Sequence, residues 1–436
     1  MLQTFKNAWK IDDLRKKILY TLMIILIFRI GSAIPAPFLD PTKLGAMIAE
    51  QSANGGLFGF IDVLSGGAFS RSTLFALNIS PYITASIVIQ LLTVAIPYLE
   101  NLAKEGAEGR RRLDKITRYT TVALAFLEGF GYLQLLKSAR AVKYVSGAAG
   151  IFSQIVIVSC FVGGAMFVVW LGERIDEKGI GNGISMLLFA GIVSRVPAVI
   201  STMFSYLKLA TKGGQYSIYF LTIPLLVVLF VVVVGFIIFM TEAERRIPVM
   251  YAKRVVGRKM YGGQSTYIPI KVNMSGVMPV IFASTLLAIP GTIASFIVPK
   301  PGGFWDGFTR LFRYNSFTYA VVYLLLILAF NYFYIAIQYN PIEIANGLKS
   351  NSGTIPGIRP GRPTSDFISK IVGKITLLGG IFLGIIAVLP IAVTAITNIN
   401  VALGGTTVII VVGVALDTQR QLESKMMMRH YKGFLE

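Results

Sequence analysis

Histidine and cysteine are almost missing from this 436-residue chain, which contains one of each. Cys160 lies inside an apolar run, and a single cysteine excludes an intramolecular disulfide. His430 lies near the C-terminus, so the apolar part of the chain has no HExxH zinc site and no serine–histidine pair. The sequence also has no GxxxxGKS or GxxxxGKT phosphate-binding loop and no aspartate pair suited to an intramembrane protease. These absences argue against an enzyme and predict no cofactor and no metal.

Charged residues are scarce too, at 14% of the chain, whereas soluble domains have about 25%. Hydrophobic residues make up 54%, and the mean hydropathy is +0.68. This composition predicts a membrane protein with several spanning helices. Apolar runs of about 20 residues predict ten spans, at 18–37, 72–97, 119–136, 151–171, 180–203, 217–240, 272–298, 316–338, 371–393 and 400–417.

The distribution of basic residues predicts the orientation of these spans. Most of the 41 Lys and Arg residues fall in segments on the same side as the N-terminus. The loop 137–150 is an exception, because it carries three basic residues on the predicted outer side. Basic residues favour the cytoplasmic side, so both termini are predicted to be cytoplasmic. Segment 1–17 is predicted to be a cytoplasmic interfacial helix, and 418–436 a cytoplasmic tail.

Ten spans divide into two sets of five, and an odd number of spans gives the two sets opposite orientations. Residues 79–83 read ISPYI in span two, and residues 277–281 read VMPVI in span seven. Spans five and ten both open on glycine near an aliphatic run, with GIGNGI at 179–184 and GGTTVII at 404–410. Inverted repeats of this kind build channels and transporters around a central pathway. The predicted halves are 18–203 and 204–417.

Basic segments at 100–118, 241–271 and 338–370 project on the predicted cytoplasmic side. In the last of them, residues 351–364 read NSGTIPGIRPGRPT, and three prolines with three glycines exclude an ordinary helix. The basic residues either only enforce topology or dock a large acidic partner, such as RNA phosphates or an acidic protein surface.

Residues 55–70, GGLFGFIDVLSGGAFS, form a moderately apolar stretch between two glycine pairs. The stretch is about ten residues long, which is too short to cross a bilayer. It predicts either a short re-entrant helix that moves on its glycine ends or a surface loop lying on the membrane.

Seven segments, in order along nearly the whole chain, resemble the SecY family of protein-conducting channel subunits. They are FRIGSAIPAP (28–37), LSGGAFSRSTLFALNISPYITASIVIQLL (64–92), EGAEGRRRLDKITRY (105–119), WLGERIDEKGIGNGIS (170–185), RRIPVMYAKR (245–254), QSTYIPIKVNMSGVMPVIFAS (264–284) and IPGIRPGRPT (355–364).

The resemblance implies an all-α polytopic membrane protein. Its ten transmembrane helices form two pseudo-symmetric inverted five-helix halves around a central hourglass pore. A short re-entrant plug helix at about 57–69 blocks the outer funnel. Branched aliphatic side chains seal the pore at mid-membrane, because they exclude water and ions by dewetting. The ring residues so implied are Ile79, Ile83, Ile180, Ile184, Ile281 and Ile410.

Three further sets of residues follow from the resemblance. The plug residues are Phe60, Ile61, Asp62, Leu64, Ser65, Gly66 and Gly67. A lateral gate, where signal sequences and membrane segments leave for lipid, has its polar positions at Thr84, Gln90, Glu128 and Asn273. Docking of the ribosome or of the SecA motor ATPase falls to Arg246, Lys253, Arg254 and Arg359.

The implied function is passage of unfolded secretory polypeptides across the bacterial cytoplasmic membrane and lateral release of membrane segments. The implied partners are SecE-like and SecG-like small subunits, SecA, the ribosome, signal peptides and nascent chains, and anionic lipids. The alternative is an inverted-repeat secondary transporter of small solutes. Such a transporter normally buries several ionisable groups at mid-membrane, and Arg29, Glu128 and Arg195 are too few for a proton or sodium relay.

Overall fold

The computed structural model describes residues 2–40, 42–45, 62, 65–144, 146–211, 219–251, 254–256, 259–261, 265–296, 316–397 and 405–432. Two compact units divide the chain. Unit 1 comprises Met1–Leu225, Ser284–Ala320 and Pro390–Glu436, and unit 2 comprises Leu226–Ala283 and Val321–Leu389.

Helices dominate the described residues, and every predicted span overlaps at least one of them. They are α1 (Leu2–Trp9), α2 (Asp12–Gly31), α3 (Ser80–Ala95), α4 (Pro97–Lys104), α5 (Ala107–Ser138), α6 (Gly147–Lys178), α7 (Gly183–Val193), α8 (Val196–Ala210), α9 (Tyr219–Glu242), α10 (Met278–Phe296), α11 (Phe317–Gln338), α12 (Pro341–Ser350), α13 (Arg362–Thr397) and α14 (Gly405–Lys432).

Five helical segments of the described residues are long and apolar enough to cross a membrane, and a sixth is the pair α3–α4 taken as one broken span. That pair bends by 101°. Pro97 explains the break, because proline disfavours helical backbone in the residue before it, and Ile96 is extended at φ −111°. The helices α2, α5 and α14 each contain a predicted span and, at one end, a further stretch rich in charged residues.

The core of unit 1 forms where α5 packs against α3 and α6. Phe69, Leu133, Ile157 and Phe161 are buried there. The Tyr132 hydroxyl donates a hydrogen bond of 2.5 Å to the Phe69 carbonyl oxygen, which ties α5 to the non-helical segment 65–79. That segment precedes α3, so the packing sets the position at which α3 begins.

Gly164 brings α6 into direct contact with the segment 65–79. A Cβ atom at Gly164 would stand 2.0 Å from the Leu74 carbonyl oxygen. The neighbouring Gly163 faces open space, with nothing within 4 Å of its Cβ position. The two adjacent glycines therefore have different roles, and only Gly164 is required by packing.

Gly164→Ala is expected to destabilise the protein by about 1–3 kcal/mol, because backbone must shift to admit the methyl group. Gly163→Ala, the matched control, is expected to be neutral or to stabilise by roughly 0.5–1 kcal/mol through helix propensity. Thermal unfolding of both variants in detergent micelles measures the difference. Equal melting temperatures for the two variants would contradict the packing role of Gly164.

Unit 2 contains a β-hairpin that the sequence analysis does not predict. Its strands are β1 (Glu244–Tyr251), β2 (Arg254–Val256), β3 (Lys259–Tyr261) and β4 (Ser265–Lys271), and β5 (Gly353–Thr354) pairs with the other edge of β1. β1 pairs antiparallel with β4, Ile247 lying opposite Ile268, and with β5, Tyr251 lying opposite Gly353. The basic loop 241–271 and the segment 351–364 thus share one three-stranded sheet, ordered β4-β1-β5.

Alternation of apolar and polar residues explains this hairpin. Ile247 and Val249 on β1 and Ile270 on β4 are buried in the unit 2 core. Their intervening neighbours are mostly exposed. A period of two is the sequence signal of a half-buried strand, and it was present within a loop otherwise notable only for its charge.

Candidate functional site

Four predicted ring residues lie at the starts of α3 and α7: Ile79 and Ile180 come before the helices, and Ile83 and Ile184 lie in their first turns. Ile79 and Ile180 are buried, with 0% and 2% exposure, whereas Ile83 and Ile184 are half-buried. Pro81 near the start of α3 favours helix initiation there, and the Ile83 amide donates to the Ile79 carbonyl oxygen at 3.0 Å.

An asparagine cap fixes the start of α7. The side-chain oxygen of Asn182 accepts a hydrogen bond from the Ser185 amide at 3.0 Å. A Cβ atom at Gly172 would stand 3.2 Å from Cγ1 of Ile184, so this glycine lets the Ile184 side chain lie close to α6. Ile184 is thus positioned by a capped helix end and a packed glycine.

Ile180 has neighbours that account for its burial. It lies in a cluster with Ala8, Leu14 and Leu422, which brings α1, α2 and α14 together. Its amide donates to the Thr21 hydroxyl oxygen at 3.1 Å. This packing accounts for the burial of Ile180.

The last two ring candidates lie on other helices. Ile410 is buried in α14, with 2% exposure. Ile281 is half-buried in the first turn of α10, in unit 2. Ile83, Ile184 and Ile281 are thus the ring candidates whose side chains keep partial exposure in their own units.

The described part of the predicted plug is its C-terminal root, Asp62 and Ser65–Gly67. Asp62 is 7% exposed, and its carboxylate forms an ion pair with Arg195. Ser65 is buried, and Gly66 and Gly67 have left-handed φ values of 65° and 89°. The predicted plug residues Phe60, Ile61 and Leu64 lie outside the described residues.

The predicted gate residues of unit 1 form local hydrogen bonds. The Thr84 hydroxyl donates to the Ser80 carbonyl oxygen at 3.1 Å, and Gln90 Nε2 donates to the Ser86 hydroxyl at 3.2 Å. Glu128 on α5 forms a side-chain hydrogen bond with Ser80, so it contacts the first turn of α3. The structure therefore brings Glu128 and α3 together within unit 1.

Asn273 lies beside a buried polar network in unit 2. Its Oδ1 is buried and has no hydrogen-bond partner among the described residues. Two residues further along, the Ser275 hydroxyl donates to Asn331 Oδ1 at 2.5 Å, and Asn331 Nδ2 donates to the Thr376 carbonyl oxygen at 2.7 Å. Asn331, on α11, is 1% exposed and was not singled out from sequence, because a lone asparagine in an apolar run gives no indication of its partners.

Arg246 and Arg359 belong to the same sheet-containing unit. Arg246 Nε donates to Glu244 Oε1 at 2.7 Å, and its guanidinium lies 4.7 Å from the centroid of the Tyr267 ring. The hydrogen bond to Glu244 and the neighbouring Tyr267 raise the pKa of the Arg246 guanidinium above its ordinary value. The exposed charge of Arg246 is therefore retained on a side chain held against the hairpin.

Arg359 is exposed at the tip of a loop whose backbone is held on both sides. The Ile358 amide donates to the Ile355 carbonyl oxygen at 3.0 Å, and the Thr364 hydroxyl donates to the Arg359 carbonyl oxygen at 2.8 Å. Ile355 is buried in the unit 2 core, and Ile358 packs against that core. Lys253 lies outside the described residues, and for Arg254 the structure describes only the backbone, in β2.

Known proteins resemble this chain over its full length. The SecY family model matches residues 73–419. The chain is similar to the protein translocase subunit SecY of Streptomyces galbus, at 44% identity over 445 residues, covering 100% of each chain.

Two solved structures support the fold. One is a protein-conducting channel, with a TM-score of 0.66, 17% identity and coverage of 94% of this chain and 92% of that chain. The other is Sec61 in a canine ribosome–channel complex from the endoplasmic reticulum, with a TM-score of 0.62, 16% identity and coverage of 94% and 92%. The match of the family model and the full-length identity show that this chain belongs to the SecY family.

Proposed function

We propose that the chain is the pore-forming subunit of a protein translocation channel, which passes unfolded polypeptides across a membrane and releases membrane segments laterally. The observation that carries this proposal is 44% identity, over the whole of both chains, with a protein translocase subunit. The family assignment does not favour the alternative of a small-solute transporter.

Reconstitution tests the function directly. Proteoliposomes containing the chain with its small subunits should import a secretory precursor when the motor ATPase and ATP are added. They should not import it without the motor. Uptake of small solutes without precursor transport would instead support the transporter.

The ring residues and the plug are assigned the role of sealing the resting pore against ions. Ile83, Ile184 and Ile281 carry it, because half-buried branched aliphatic side chains are available to line a dewetted constriction. Ile79, Ile180 and Ile410 support it from buried positions. The plug comprises about 57–69, with Asp62 and Ser65–Gly67 as its root.

Deleting residues 57–67 is expected to raise the ion conductance of the resting channel, because the deletion removes Asp62 and its contacts with unit 1. Single-channel recording in planar bilayers measures the leak. Precursor translocation by the same preparation is the control for assembly. An unchanged resting conductance would count against the plug assignment.

The resemblance supports Thr84, Gln90, Glu128 and Asn273 as the polar positions of a lateral gate. Hydrogen bonds between buried polar groups in membranes contribute about 0.6–2 kcal/mol each, which holds helices together yet lets them separate. Signal peptides and nascent membrane segments are the ligands of such a gate.

The docking surface is assigned to Arg246, Lys253, Arg254 and Arg359. Its partners are the SecA motor ATPase and the ribosome, and one of the structural relatives was solved in a ribosome complex. SecE-like and SecG-like subunits and anionic lipids complete the assembly. Arginine suits both partners, because its planar fork pairs two oxygens of a phosphate or carboxylate.

The chain acts as a channel subunit and not as an enzyme. The halves 18–203 and 204–417 form the inverted repeat, flanked by the interfacial helix 1–17 and the tail 418–436. The bias of basic residues supports a bacterial cytoplasmic membrane location with both termini cytoplasmic.

A further inference from the structure

Arg195 stands between two helices of unit 1, directly after α7 and before α8. Its side chain is 22% exposed and forms an ion pair with Asp62, whose side chain is 9% exposed. The two residues are far apart in sequence, so the ion pair connects the plug root to the end of the helix that carries Ile184. Little water reaches the Asp62 carboxylate, whereas the Arg195 guanidinium is partly exposed.

Asp62 is held by more than this ion pair. Its Oδ1 accepts a hydrogen bond from the Ser70 amide at 2.7 Å. Its carbonyl oxygen accepts from the Gly67 amide at 2.8 Å and from the Ser65 hydroxyl at 3.1 Å. These hydrogen bonds hold the backbone of the plug root against Asp62 and fix the orientation of its carboxylate.

The glycine pair places this root directly against two arginines. A Cβ atom at Gly66 would stand 2.6 Å from Arg29 Nη1 and 2.9 Å from the Gly191 carbonyl oxygen. A Cβ atom at Gly67 would stand 3.0 Å from Arg195 Cζ. Any side chain here would push the root away from α2 and α7.

Asp62 pairs with Arg195, and Arg29 lies beside the same root at Gly66. Arg29 Nη1 and Arg195 Nε are buried and have no hydrogen-bond partner among the described residues. Removing one partner of a buried ion pair leaves an uncompensated charge, which is strongly unfavourable. Departure of the plug root would leave Arg195 in that condition.

We propose that Asp62 and Arg195 form an electrostatic latch that holds the plug root against α2 and α7 in the closed channel, with Arg195 as the positioning residue. This proposal rests on the proposed channel function. Gly66 and Gly67 allow the close approach, and Arg29 lies against the root at Gly66. The latch sets the resting seal and not the passage of the polypeptide.

Charge variants in the reconstituted full complex test the latch. Asp62→Asn and Arg195→Gln are each expected to raise the resting open probability by roughly tenfold, because either change breaks an ion pair whose carboxylate is buried. Arg195→Lys keeps the charge and should stay close to the parent. The double variant Asp62→Asn with Arg195→Gln should leak no more than the leakier single variant, because both remove one interaction.

Arg140→Gln is the matched control, since Arg140 is exposed, lies in unit 1 and is not part of the ion pair with Asp62. It should keep the parent's resting conductance. Precursor translocation by every variant shows that it is folded. A parent-like seal in both single variants, or additive leaks in the double variant, would overturn the latch.

The latch and the proposed function fail in different ways. If deletion of residues 57–67 raises the leak but the charge variants do not, the plug stands and the latch is wrong. If the parent complex translocates no precursor with its motor, the channel function itself fails.

Discussion

Arg359→Glu is expected to nearly abolish motor-driven translocation, while membrane insertion and assembly stay near normal. The side chain is exposed, so its reversal removes no packing. Its backbone is held by the turn at Ile355–Ile358 and by the hydrogen bond from Thr364. Because the backbone is held, a glutamate at this position would face an acidic partner where the arginine had faced it, and the like charges would repel each other.

Arg359→Lys is expected to impair translocation clearly, because lysine keeps the charge but loses the planar fork that pairs two oxygens. Arg362→Glu is the matched control, with the same charge change three residues away. Arg362 is exposed in the first turn of α13, where a negative charge is favourable to the helix. Its effect should be much smaller.

Translocation of a precursor and binding of the motor would be measured in proteoliposomes with equal amounts of each variant. Full activity of Arg359→Glu would remove the docking role of this residue. Equal losses for Arg359→Glu and Arg362→Glu would indicate a general effect of charge in place of a specific contact.

Replacing Ile83, Ile184 and Ile281 together by serine is expected to open the resting channel to ions. Hydroxyl groups hold water where branched aliphatic side chains repel it, so the constriction wets. All three side chains are half-buried, and their loss should cost less than the roughly 2–5 kcal/mol of a fully buried isoleucine truncation. The variant should therefore still fold.

The triple change of the same residues to valine is the control, because valine keeps a branched aliphatic side chain at each position. Planar-bilayer conductance of the serine and valine variants would be compared with that of the parent. A serine variant as ion-tight as the parent would show that the constriction lies elsewhere.

Sequence patterns predicted the elements of this fold better than its contacts. Each of the ten spans predicted from apolar runs overlaps a described helix. Such runs can be recognised locally, because the ability to span lipid depends on local composition. The ion pair of Asp62 and Arg195 joins residues 133 positions apart (62 to 195), and no local pattern specifies such a partner. Both residues could be noticed only as rare charges in apolar surroundings.

The hairpin and Ile180 illustrate two other limits. The alternation at Ile247 and Val249 indicates a strand. The high positive charge of the same loop indicates a docking surface and gives no information on its secondary structure. For Ile180, sequence resemblance implied a ring position, while the structure adds packing against Leu14 and Leu422 from distant helices. A buried isoleucine has the same local signature in both roles.

The sheet order β4-β1-β5 has a mechanical consequence for the segment that carries Arg359. β1 begins two residues after α9 ends, and α13 begins three residues after Arg359. A force applied at the loop tip is therefore transmitted to α9 and α13 through the backbone hydrogen bonds of the sheet and through short connecting segments. A partner that displaces this loop would therefore also displace α9 and α13, because no long flexible segment separates the loop from these helices.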